Sequence, residues 1–496
     1  MHTSKSRFVG LIGPLAGAAL LALPACAVET SAPPPPNEHK GAVESALGSL
    51  AAASCGARFV DVLGDDQRAG LPNDCTDSAS ACRTIQRGID AACVGDTLHV
   101  AAGDYVENVV VSKGVTIEGA GHRTIVHPAV SNPDPCVADS LCGGAASSIF
   151  LVQASNVTFR RLTLDGDNPA LTSGIVRGGA DVDARNGIIT NHALGRFDDL
   201  HVRHVTVRNV FLRGLYASSG GSFRFEDDVV KNVQGDAHAV AVFDFGGAGL
   251  VARTEVEDAN DAISANHSAG VVFADNVVRR SGSGLHTDNA GDSAGASADR
   301  IEGNVVHDCT AGGYGVFVFV PYASVVVRGN VVRGCDVGLG AFGGVGIAGV
   351  AARFEDNEVV GHGTDTSVGV WVTTDQIGFG SGNVAARFDG NDVSYFGVGF
   401  LVQQQTGFFA DAALTCNRVR RNGVGVRTAS AAGRLDDNAI TANGTGVDAT
   451  PLTSGTLDAR DNYWGCAGGP PGAQCDTALG PVDTSGADRA APRCTR

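Results

Sequence analysis

Aromatic residues make up only 6% of this 496-residue chain, and it holds a single methionine. In their place stand 68 glycines within a chain that is 43% hydrophobic. That is the composition of many tight bends joined by Val/Ala/Ile strands, not of a helical protein. Positive charge is in deficit: the formal net charge is −17. Nucleic acid or an anionic membrane surface is therefore a poor main partner. Beyond the N-terminus no apolar run could span a bilayer. No P-loop, nucleophile elbow or H-E-x-x-H occurs, and no paired C-x-x-C favours zinc.

What recurs is an asparagine in a fixed local setting. The segments are FADNVV, IEGNVV, VRGNVV, FEDNEVV, FDGNDV, LTCNRV, LDDNAI and ARDNYW. They place Asn276, Asn304, Asn330, Asn357, Asn391, Asn417, Asn438 and Asn462 at steps of 28, 26, 27, 34, 26, 21 and 24 residues. A short strand precedes each Asn and another follows it. A third, usually opened by Gly, comes about a dozen residues later (GVFVF, GLGAF, GVWVT, GFLVQ). A period of ~20–50 residues with short strands marks a solenoid, here with three strands per coil. The Asn turn calls for a left-handed bend, which Asn tolerates. Stacked Asn amides can hydrogen-bond from coil to coil.

The N-terminus reads as an export signal: Lys5 and Arg7, then an apolar stretch from Phe8 to Leu23. It ends in Leu23-Pro24-Ala25-Cys26, which resembles the lipobox of bacterial lipoproteins, although Pro24 departs from the usual small residue. That resemblance implies lipidation of Cys26. Residues 27–52, with prolines from Pro33 to Pro36, read as a tether. Residues 53–96 read as a cap with a short helix, because Ile85, Ile89 and Ala92 share one helical face. Coils are expected over 97–465, and a Pro-Gly-rich cap or tail over 466–496. Residues 129–147 and roughly 167–186 read as loop insertions. Besides Cys26 there are twelve cysteines, an even number that favours disulfides in an exported chain. Cys309 and Cys335 each lie five residues after a ladder Asn, so stacking should put them about 4.8 Å apart and within bonding range. Cys136 and Cys142 would close a small loop.

With this pattern the chain resembles the right-handed parallel β-helix proteins of the pectin-lyase-like superfamily. The resemblance covers about 97–465. It includes the opening segment CRTIQRGIDAACVGDTLHVAAGDYVENVVV and the closing DNYWG. It implies an all-β solenoid exported into polysaccharide-rich surroundings. The superfamily holds lyases, hydrolases, esterases, epimerases and adhesins, and the fold does not choose among them. The polygalacturonase set is not present in order, since Gly361-His362-Gly363 stands alone, and the Arg-x-Pro-x-x-Arg pattern of pectate lyases is absent.

In that superfamily the third strand and its turns form the usual ligand groove. Alternation gives an outward column of Tyr216, Ala241, Ser264, His286, Phe317, Gly340, Trp371, Leu401, Arg427 and Asp448. A second column holds Ser218, Phe243, Asn266, Asp288, Phe319, Phe342, Thr373 and Gln403. Two site readings follow. Tyr216, Asn266, Phe317, Phe319, Phe342 and Trp371 are ligand-binding candidates, with flat rings suited to sugar faces. The competing reading has an insertion loop covering them. Asp236, His238, Asp244, Asp261, His286 and Asp288 are candidates for acid–base chemistry on a glycosidic or uronate substrate. Their oxygens could instead bind Ca²⁺, and polar turn residues in an acidic protein are the plainer account.

The expected protein is a monomeric envelope protein, lipid-anchored in a bacterial outer membrane or else secreted. It would bind polysaccharide or another surface partner along its solenoid face, without catalysis. The alternatives are a polysaccharide lyase or glycoside hydrolase working from the Asp236–Asp292 groove, and a structural or adhesive rod.

Overall fold

The computed structural model describes residues 55–289, 297–319, 324–343, 351–375, 380–470, 472 and 474–495. The export signal, Cys26 and the tether expected over 27–52 lie outside these residues, as does Asp292. Among the described residues, no helix is long and apolar enough to cross a membrane.

Three long parallel sheets of 16, 13 and 14 strands run the length of the molecule, and each coil contributes one strand to each. The strand before the Asn joins the 16-stranded sheet, the strand after it the 13-stranded sheet, and the Gly-initiated strand the 14-stranded sheet. Val, Ile, Leu and Phe from all three fill a single continuous core. Parallel stacking buries the inner face of every strand, so these short segments persist only as a stack.

The asparagine ladder lies in this core, each of its eight members at most 1% exposed. Each Oδ1 from Asn304 to Asn462 accepts two bonds from the Asn one coil earlier. Asn330 Oδ1, for example, accepts from Asn304 N and Nδ2, each at 2.9 Å. Each Nδ2 also reaches a strand carbonyl of the earlier coil, as from Asn330 to Ile301 O at 2.9 Å. The left-handed bend falls on the residue before the Asn: φ is 56° at Asp275, 69° at Gly303, 54° at Asp356 and 60° at Cys416. The Asn is thereby free to serve as the hydrogen-bonding unit. A shorter second ladder runs through Asn422 and Asn443 to Asp476, with N to Oδ distances of 2.9 and 3.0 Å.

The ladder continues backward through Thr254 to Asp228. Asp228 Oδ1 accepts from Val205 N at 2.8 Å, but Oδ2 is buried without a partner. Asn at this position has an N–H₂ to spend; a carboxylate has none. Burial pushes this carboxyl well above its ordinary value against the opposing bond from Val205 N. A raised folded-state pKa means the native state holds a proton that the unfolded chain releases. Stability is then full below the ordinary carboxylate range and falls as pH rises toward the folded-state value. Asp228→Asn is expected to raise stability at neutral pH by about 1–3 kcal/mol. It should also flatten the pH dependence of the urea midpoint over that window; an unchanged midpoint would refute this account.

The helix expected near Ile85 spans Ile85–Ala91, with Thr84 as its N-cap, and lies over the first core layers. Glu107, from the Tyr-Val-Glu-Asn stretch, accepts from Ile85 N and Gln86 N at 2.8 and 3.0 Å. That opening motif is therefore a helix-capping device. Strand Ala57–Val60 pairs with Thr97–Val100, so coil stacking begins inside the region read as cap. At the other end Ala478–Leu479 and Val482–Asp483 extend two of the sheets into the tail. The twelve described cysteines form six disulfides: Cys55–Cys93, Cys75–Cys82, Cys136–Cys142, Cys309–Cys335, Cys416–Cys494 and Cys466–Cys475. Cys309 and Cys335 have Cα atoms 4.8 Å apart, the spacing of adjacent coils.

Candidate functional site

The outer surfaces of two sheets are laced with ion pairs. On the 16-stranded sheet Arg253 meets Glu226 and Asp227, Arg328 meets Glu355, and Arg387 meets Asp411. On the 13-stranded sheet Arg280 meets Glu257 and Asp258, Arg333 meets Glu358, and Arg420 meets Asp392. Such faces are solvated and self-satisfied. The 14-stranded sheet differs: its outward column runs Leu151, Ile189, Tyr216, Phe243, Ser264, His286, Phe317, Gly340, Trp371, Leu401, Arg427 and Asp448.

One strand departs from the expected register. Phe243, not Ala241, stands beside Tyr216, and Phe245, not Phe243, stands beside Asn266. The cause is the small residue that opens these strands. It faces the core together with the residue after it, so alternation restarts there. At Gly315 a Cβ would meet Val332 Cγ1 at 2.4 Å, and at Gly338 it would meet Val359 Cγ1 at 2.2 Å. Only Gly or, where the fit is looser, Ala can occupy that column. Counting from the wrong small residue shifted Val240–Phe245 by two places.

The aromatic candidates divide. Tyr216 is buried: its ring stacks on Phe243 at 4.8 Å, and the Arg213 guanidinium sits 4.7 Å from the Phe243 ring centre. Leu141, from the 129–147 insertion, packs into the same cluster. The insertion is held by Arg185, whose guanidinium donates to Pro133 O, Cys136 O and Asp139 O at 2.8, 3.0 and 3.1 Å. Phe317 and Phe342 are also buried, 2% and 0% exposed, with ring centres 5.6 Å apart. These three rings are packing residues and offer no open platform. Phe319 and Trp371 are partly exposed. Trp371 stands edge-on to Phe342 at 5.4 Å, and its Nε1 donates to Gln403 Oε1 at 2.8 Å.

The polar candidates also separate. Asp236 and His238 lie in the turn before Val240, partly exposed, with Oδ2 3.4 Å from Nδ1. Asp244 pairs with Ala217 and Ala265 in an inward column, not an outward one. It is 1% exposed, and burial pushes its carboxyl well above the ordinary range. Asp244 therefore cannot line an open groove. Beside that column Asp299, missed in the sequence, accepts from Ser268 Oγ, Thr287 Oγ1 and Val271 N. Asn266 is partly exposed. Asp288 is also partly exposed, but desolvation raises its carboxyl to about 6 against the opposing bond from His267 N. His362 is exposed, 3.2 Å from Asp336.

Asp261 and His286 do come together, with Oδ2 and Nδ1 3.5 Å apart. His286 Nε2 lies 3.0 Å from Ser264 Oγ. The His286 ring stacks on Phe317 at 4.5 Å and 14°, and Ser283 Oγ donates to Asp261 Oδ1 at 2.6 Å. Strict alternation would put Asp261 and Ser264, three residues apart, on opposite faces. The paired inward residues Ala262 and Ile263 bring both to the outer face. For the Ca²⁺ alternative, the one group of described residues with suitable spacing is Cys55, Cys93 and Asp96, and its two sulfurs are already disulfide-bonded.

Residues 186–359 match the family described as a right-handed β-helix region. No protein of curated function matches the sequence. Among solved structures the chain is similar to the A-module of a mannuronan C-5 epimerase from Azotobacter vinelandii. That match has 17% identity and a TM-score of 0.49, covering 76% of this chain and 94% of that one. It is also similar to the tailspike protein of the Escherichia coli bacteriophage HK620, with 14% identity, a TM-score of 0.49, and 77% and 76% coverage. A third is the catalytic domain of a family 87 α-1,3-glucanase, with 14% identity, a TM-score of 0.48, and 72% and 67% coverage. Likeness at this level carries no argument about reaction or ligand. Three parallel sheets around a ladder of buried asparagines make this chain a parallel β-helix, and over residues 186–359 it matches the right-handed β-helix region.

Proposed function

We propose that this is an exported envelope protein that binds polysaccharide along the outer face of its 14-stranded sheet. The observation that carries the reading is the contrast between faces: two are closed by ion pairs, and the third presents Trp371 and Phe319 partly exposed beside Leu401 and Gln403. A ring fixed by its own N–H bond is a rigid anchor for the apolar face of a sugar, and the exposed Gln403 amide beside it suits the rim. Six disulfides support export, because such bonds persist in oxidising compartments. Lipid anchoring through Cys26, with the domain held off the membrane by the 27–52 tether, belongs to this proposal. So do the monomeric state and the outer-membrane location.

A glycan array followed by affinity electrophoresis tests the reading. Wild-type protein should be retarded by at least one polysaccharide, and Trp371→Ala should weaken that retardation by roughly tenfold while leaving the unfolding midpoint little changed. No retained glycan, or equal retention by Trp371→Ala, would remove the assignment.

A further inference from the structure

The geometry points to a serine-ester hydrolase centre formed by Ser264, His286 and Asp261, acting on acyl esters carried by a polysaccharide. The substrate class rests on the glycan reading above; the centre itself does not. Strands Asp261–Ser268 and Ser283–Asn289 lie side by side in the 14-stranded sheet and supply all three groups.

The arrangement defines each role. Asp261 Oδ2 and His286 Nδ1 face each other at 3.5 Å, and neither atom has another hydrogen-bond partner among the described residues. A proton on Nδ1, turned toward the carboxylate, leaves Nε2 as the acceptor for the Ser264 hydroxyl 3.0 Å away. This is the order carboxylate, imidazole, hydroxyl that activates a serine, and it is recognised by geometry rather than by position in a chain. The second carboxylate oxygen is tied down by Ser283 Oγ at 2.6 Å, and the imidazole plane is fixed against Phe317 at 4.5 Å. A polar network serving packing alone would not need the Asp261 and His286 atoms to be left for one another.

The chemistry balances without a cofactor. Ser264 Oγ bonds to the ester carbonyl carbon as its proton passes to His286 Nε2. Collapse of the tetrahedral adduct breaks the bond to the sugar oxygen, which takes that proton and leaves as the hydroxyl. Water then gives a proton to Nε2 and its oxygen to the acyl carbon. Collapse of this second adduct breaks the bond between the acyl carbon and Ser264 Oγ, which takes the proton from Nε2, and a carboxylic acid is released. Asp261 orients the imidazole and stabilises its charged form, which makes it a positioning residue.

Ser264, His286 and Asp261 are 2%, 3% and 3% exposed, no more open than Phe317, so the proposal requires that a small probe reach Ser264 in the folded protein. The tests use the folded, disulfide-bonded protein with p-nitrophenyl acetate as substrate and a fluorophosphonate as covalent probe. We expect turnover above buffer and one phosphonyl adduct mapping to Ser264. Ser264→Ala and His286→Ala should each lose turnover by at least about a hundredfold. Asp261→Asn should lower kcat with KM held. Ser264→Ala removes a single oxygen, so an unchanged unfolding midpoint shows that its loss is chemical. An unlabelled Ser264 in folded wild-type protein, or turnover that survives in Ser264→Ala, overturns the proposal. The probe substrate carries no sugar, so a failure of glycan capture leaves this assay unaffected and the two readings fail separately.

Discussion

Asn330→Ala is expected to destabilise the fold by roughly 3–5 kcal/mol. The alanine removes four hydrogen bonds: those from Asn304 N and Nδ2 to Oδ1, and those from Nδ2 to Ile301 O and Asn357 Oδ1. Asn304 Nδ2 keeps its bonds to Phe273 O and Glu302 O. Asn304 N–H is left without its acceptor in a site 0% exposed, where no water can replace it. The cost is desolvation without compensation, which is larger than the net worth of the bonds. Since each coil touches only its neighbours, the weakness spreads one coil each way and opens the solenoid in its middle. Urea unfolding followed by far-ultraviolet circular dichroism measures it. A midpoint within experimental error of wild type would mean that the ladder is decorative. Asn330→Asp keeps the acceptor and loses the donor, so it should fall between the two and lose stability as pH rises, like native Asp228.

Breaking Cys416–Cys494 by double substitution to serine should cost about 4 kcal/mol. The bond closes a loop of sequence separation 78, and the chain entropy it removes from the unfolded state grows with the logarithm of that length. It also ties the last residues to the turn before Asn417. Within that loop Ala478–Leu479 and Val482–Asp483 are the outermost strands of their sheets, and each pairs along two residues. So little backbone bonding does not hold a tail alone. Limited proteolysis under non-reducing conditions should cut the double variant first within 466–495, ahead of global unfolding, while wild type resists. Equal cleavage rates would show that packing over Trp464, 0% exposed, suffices without the bond.

The architecture was legible in the chain because a solenoid writes its geometry as a period. The eight asparagines, the strand on either side and the Gly-led third strand are local signals. Stacking then turns each into a row, so Asn276 to Asn462 and the Cys309–Cys335 pairing follow from counting. The earlier rungs were hidden because other residues stand in for Asn: Thr254 and Asp228 occupy the same place, as Asp476 does in the second ladder. Hydrogen-bonding capacity decides those positions, not residue identity.

The candidate site was less legible, for a reason of phase and one of cover. The Gly/Ala column turns two successive residues inward, and no alternating pattern reveals a break in its own alternation. Asp244, next to the outward Phe243, is inward by either count, whereas strict alternation from Ser264 sets Asp261 on the opposite face. Cover is a matter of long-range contact: Leu141 reaches Tyr216 and Phe243 across dozens of residues, and Arg185 pins the loop that carries it. Local periodicity sets which elements form and how they stack, because backbone hydrogen bonding and side-chain alternation are near-neighbour effects. Which outward rings stay open, which carboxylates lose their water and which serine meets a histidine depend on what the folded chain brings over them, and that is encoded in no single repeat.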